Sequence, residues 1–136
     1  STFEPPYPAT LTANDDLILL GYNLDPEKPA PGSTLWVTLY WQALADVRHD
    51  YVILLRLLDE QQQEVAYWLG RPVRSGYPTT EWQAGQIVQD PWRLELPPDL
   101  KPGPYDLEVA LFDAASEAEV TRSRLGPVTV LSVVTQ

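Results

Sequence analysis

Residues 94–113 read LELPPDLKPGPYDLEVALFD, and this stretch constrains the fold more than any other. A polar corner (Pro97, Pro98, Asp99, Pro102, Gly103, Pro104) runs straight into a tyrosine and a regular alternation. Tyr105, Leu107, Val109 and Leu111 fall on one phase, and Asp106, Glu108 and Ala110 fall on the other. Side chains alternate across a strand, so period-two patterning means a strand with one buried face.

The rest of the chain repeats this theme. Leu17–Leu24 reads as a strand with Gly21 as a bulge, and residues 25–34 are a proline-bearing loop. Leu35–Leu44 and Tyr51–Asp59 are rich in aromatic and aliphatic residues and free of proline, as strands should be. Val65–Leu69 is a further strand. Ile87–Leu96 is interrupted by Asp90-Pro91, which places it at a sheet edge, because proline cannot donate to a ladder. Tyr105–Asp113 follows the proline corner, residues 114–119 form a turn or one helical turn, and Val128–Val134 closes the chain. Residues 1–13, with Pro5, Pro6 and Pro8, read as an extended N-terminal linker to a single β-sandwich over 14–136. Seven or eight strands and no convincing helix predict an all-β fold. A tyrosine opening a strand just after a turn points to an immunoglobulin-like antiparallel β-sandwich.

Composition excludes several functions. Nine basic residues against nineteen acidic ones give a net charge of −10, which argues against nucleic acid and against charge-driven docking on anionic lipid. There is no cysteine, so disulfides, thiolate metal sites and thiol nucleophiles are absent. His49 is the single histidine, set between Arg48 and Asp50 in a hairpin loop, and no Gly-x-Ser-x-Gly elbow exists. Asp59, Glu81 and Asp90 are the carboxylates from which a glycosidase pair would be drawn, yet nothing in the sequence marks one as buried. Turn aspartates offer no EF-hand-like spacing for calcium, and no phosphate-cradling glycine loop is present. The expectation is a non-enzymatic domain without cofactor or metal. The absence of methionine, even at position 1, suggests a segment of a longer protein.

The short motifs GYNL (21–24), PGSTLWVTLYWQAL (31–44), DYVILLRLLD (50–59), GYPTTEWQAGQIVQD (76–90) and LPPDLKPGPYDLEVALFD (96–113) resemble a family of domains. These lie at the C-terminal end of bacterial family 39-like membrane glycosyltransferases, polyprenyl-phosphate-sugar-dependent enzymes notably of green non-sulfur bacteria. The resemblance implies a soluble extracytoplasmic β-sandwich, membrane-associated through its parent chain. It implies no catalytic residue here, since the family's catalytic carboxylates belong to the membrane part.

Five tryptophans and seven tyrosines raise a further question, which is what covers them. Trp41 shares a phase with Leu35, Val37 and Leu39 and is expected in the core. Trp36 and Tyr40 share the other phase with Thr38 and Gln42. In 51–58 both phases are apolar except for Arg56. Such a sheet needs an outer cover. Three covers fit: the long loop 70–86 folded back with Tyr77 and Trp82; a partner, whether the parent's membrane domain, another protein or a second copy; or a glycan stacking on flat rings. Self-packing is the favoured reading, with a cis Tyr77-Pro78 bond as one way to hold the loop. An accessory or interaction module is the primary expectation. A carbohydrate-binding module using Trp36, Tyr40, Tyr77 and Trp82 is the alternative.

Overall fold

A computed structural model describes residues 3–132. It holds eight strands: β1 (Tyr7–Ala13), β2 (Leu17–Asp25), β3 (Thr34–Ala43), β4 (Tyr51–Leu58), β5 (Glu64–Gly70), β6 (Ile87–Glu95), β7 (Gly103–Asp113) and β8 (Glu119–Val130). They form two antiparallel four-stranded sheets, ordered β1-β2-β3-β6 and β5-β4-β7-β8. The fold is an immunoglobulin-like β-sandwich of eight strands. The chain changes sheet between β3 and β4, β5 and β6, and β6 and β7. Among the described residues no helix is long and apolar enough to cross a membrane.

The alternation read from the sequence is the alternation of burial. Leu35, Val37, Leu39 and Trp41 of β3 face Ile53, Leu55 and Leu57 of β4 and Leu107, Val109 and Leu111 of β7 in one core, all essentially unexposed. Burying large apolar side chains of this kind contributes about 1.5–3 kcal/mol each. The corner before β7 closes as expected for a tyrosine at that place: the Tyr105 hydroxyl donates to the Lys101 carbonyl at 2.6 Å. The Asp90-Pro91 strand is an edge strand, with Pro91 opposite Thr38.

Two boundaries differ from expectation. Residues 7–13 are not linker but β1, paired with β2 through a register shift between Pro8 and Leu11. The prolines stop short of Leu11 and Ala13, which alternate into the core, and Tyr7 stacks on Tyr22 with centroids 5.2 Å apart. The last strand begins at Glu119 and ends at Val130, far earlier than 128–134; positions 133 and 134 lie outside the described residues. β8 pairs Arg124 with Glu108 and Arg122 with Ala110, so its outer face is polar and its strand character comes from cross-strand partners rather than apolar runs.

Candidate functional site

Loop 70–86 does not cover Trp36 and Tyr40. It folds onto the end of the sandwich instead. Trp82 is 1% exposed, its indole N–H donates to the Tyr77 carbonyl, and its own carbonyl accepts from Val47 N–H. Thr79 is fully buried, donating to the His49 carbonyl and accepting from Tyr51 N–H. Tyr77 is half-buried against Trp82, with its hydroxyl 3.0 Å from Gln86 Oε1. Trp82 is thus a core plug whose ring cannot meet a ligand, and Tyr77 is its neighbour. Tyr77-Pro78 is trans; the cis bond among the described residues is Asp25-Pro26.

Trp36 and Tyr40 lie elsewhere, on the outer face of the first sheet. The N-terminal segment covers the middle of that face. Phe3 packs on Tyr40 with centroids 5.0 Å apart, and the Pro5 side chain occupies the space a side chain at position 21 would need, which is why Gly21 is there. The four aromatic candidates therefore do not share one surface.

The carboxylates considered for hydrolysis are also apart. Asp59 caps the β4–β5 turn through Gln61 and Gln63 N–H. Glu81 is exposed in a single 3-10 turn, and Asp90 is fully buried in β6. Among the described residues no group of three or more His, Asp or Glu side chains is arranged to hold a metal ion.

The open surface is the outer face of the second sheet. β5 pairs with β4 so that Leu69 lies opposite Leu54 and Tyr67 opposite Arg56. β7 brings Phe112 opposite Val52 and Ala110 opposite Leu54. Strand geometry puts all of these on the same side. The result is a shallow groove of about 570 Å³, floored by Val52, Leu54 and Phe112 and walled by Tyr67 and Leu69. Tyr67 is 60% exposed and Leu69 59%, more than any other large apolar side chain described. Glu64, Asp113 and Glu117 stand at its rim, with Arg71.

A charged lattice borders the groove. Arg56 Nε donates to Glu108 Oε1 at 2.8 Å, Arg122 Nη1 donates to the same oxygen, and Arg122 Nη2 reaches Glu119 at 2.6 Å. Burial pushes the Glu108 carboxyl up, but the two guanidinium groups outweigh it and hold it below the usual range. Arg71 grips Asp50 with Nε and Nη2, which lowers the Asp50 carboxyl. A second hollow of about 540 Å³ lies under the proline corner, but its tyrosine, Tyr105, is buried and its hydroxyl is used in the corner bond.

Sequence reading missed Tyr67 and Leu69 as surface candidates. The signal available is the apolar character of both phases of 51–58, which marks a face in need of a cover without showing which strand beside it carries the exposed ring.

No family model and no curated protein matches this chain. Solved structures do. The C-terminal domain of Wzt is similar at a TM-score of 0.68 and 13% identity, over 96% of this chain and 84% of that one. A Niemann-Pick type C2 protein from the Japanese carpenter ant is similar at 0.57 and 10%, over 90% and 98%. A beta-glucosidase from Listeria innocua, solved in complex with glucose, matches at 0.53 and 18% over 88% of this chain but 16% of its own. At these identities the likeness is one of fold.

Proposed function

We propose that this chain is a non-catalytic accessory module that holds a glycan on the outer face of its second sheet. One observation carries the reading: a groove with an apolar floor keeps the Tyr67 side chain more than half exposed at its wall. A flat aromatic ring buries the C–H face of a pyranose, and neighbouring carboxylates accept its hydroxyls. The similarity to the Wzt C-terminal domain, and to a small part of a beta-glucosidase, supports a role as one part of a larger protein. The sequence resemblance supports a parent of the membrane glycosyltransferase type, which would place this module on the extracytoplasmic side of the membrane.

Titration calorimetry with neutral oligosaccharides and bacterial surface polysaccharide tests the reading. Wild type should bind at least one, and Tyr67→Ala should weaken that binding about tenfold or more, the loss of one stacking contact plus its buried area. Melting should be nearly unchanged, since exposed substitutions are small in their effect on stability. Absence of binding in the wild type, or equal binding by the variant, contradicts the proposal. Association of wild type with itself through this face, seen as concentration-dependent light scattering that Tyr67→Ala abolishes, would replace the glycan by a second copy.

A further inference from the structure

We infer that the groove on the second sheet accepts glycan segments free of carboxylate and phosphate groups and turns acidic sugars away. This rests on the glycan reading above and names the class of sugar for the same site.

A site for an anionic sugar needs a guanidinium or ammonium free to receive it. Each guanidinium at this groove is already engaged. Arg71 is bound through two nitrogens to Asp50. Arg56 and Arg122 are bound to Glu108, and they reach on to Glu64 and Glu119. Turning Arg71 to a ligand would strand Asp50, and turning Arg122 would strand Glu119. On the rim, neither Asp113 nor Glu117 is paired with a guanidinium among the described residues; Asp113 lies 3.3 Å from His49 Nδ1. An incoming carboxylate therefore meets a rim where the carboxylates of Glu64, Asp113 and Glu117 outnumber the one guanidinium, Arg71, on a chain whose formal charge is −10. Hydroxyl groups meet the opposite situation. They donate, and the rim offers acceptors.

Three matched pairs of oligosaccharides test this: hexamers of mannose, glucose and galactose, each beside the hexamer of its uronic acid. The pairs differ mainly in the C6 carboxylate. Binding is measured by calorimetry on the whole chain at about 20 mM and about 500 mM salt, where screening shortens from well beyond the groove to a few ångströms. At least one neutral hexamer should bind, and its uronate should bind about tenfold or more weakly at low salt. The gap should narrow at high salt. It should also narrow in Glu117→Gln, an exposed and shape-conserving change whose melting temperature checks that the fold is intact. A uronate that binds as tightly as its neutral partner, or more tightly, overturns the inference while leaving the glycan reading standing. Failure of all six hexamers to bind overturns the glycan reading itself, and the charge preference falls with it.

Discussion

Asp90 shows how one residue joins two elements of this fold. Its carboxylate accepts from Trp41 Nε1 at 3.1 Å, Trp92 Nε1 at 2.8 Å and the Val73 backbone N–H at 2.6 Å. It therefore ties edge strand β6 to the core tryptophan and to the turn Val73–Ser75. That turn is left-handed, with φ between 54° and 62° at three successive non-glycine residues, a conformation that costs free energy at each. Burial pushes the Asp90 carboxyl up to about 6, and the three N–H donors act against that rise. The sign of the pH dependence follows. With the folded value above the ordinary 3.8, the folded state holds its proton more tightly than the unfolded chain. The stability this gives is complete below about pH 4, is lost as pH rises through about 6, and amounts to a few kcal/mol. Asp90→Asn removes the titration, so melting measured from pH 4 to 7 should lose the falling component that wild type shows over that range. An identical pH profile in the variant would show that Asp90 does not titrate there.

At the scale of elements, β3, β4 and β7 were legible because each carries its own alternation or a proline-free apolar run, and each became a strand within a residue or two of expectation. β1 and β8 were not. β1 hides behind three prolines, and only pairing with β2 reveals that Leu11 and Ala13 point inward. β8 contains Arg122, Ser123, Arg124, Gly126 and Pro127, a composition that reads as loop until β7 supplies Glu108 for Arg122 and Asp106 for Arg124. β1 also has a local dependency that can be tested. A side chain at Gly21 would run into Pro5 and the Tyr7 carbonyl, so Gly21→Ala must push the N-terminal segment off the sheet. Overpacking of this kind costs about 1–3 kcal/mol. Urea unfolding of Gly21→Ala should show a midpoint lowered accordingly, and an unchanged midpoint would mean that the segment yields freely.

At the scale of the whole molecule, the two outer faces are treated differently. The first sheet carries Trp36 and Tyr40, and the chain's own N-terminal segment packs on Tyr40 and over Gly21 while Trp36 stays exposed. The second sheet has its groove open, walled by Tyr67 and Leu69. The candidate site was hardly legible in the sequence for this reason. Tyr67, Leu54 and Phe112 lie on three strands, and no local pattern tells that β4 sits between β5 and β7. The tryptophans and tyrosines that looked most available, Tyr77 and Trp82, are drawn into the sandwich end because their loop has a core to plug. On this reading a ligand meets the second sheet and not the first. Backbone amide chemical shifts of isotope-labelled chain, followed by NMR during titration with the neutral hexamer that binds, test it most directly. Shifts should concentrate at Val52, Leu54, Tyr67, Leu69 and Phe112. Shifts centred on Trp36 and Tyr40, with the second sheet silent, would contradict it.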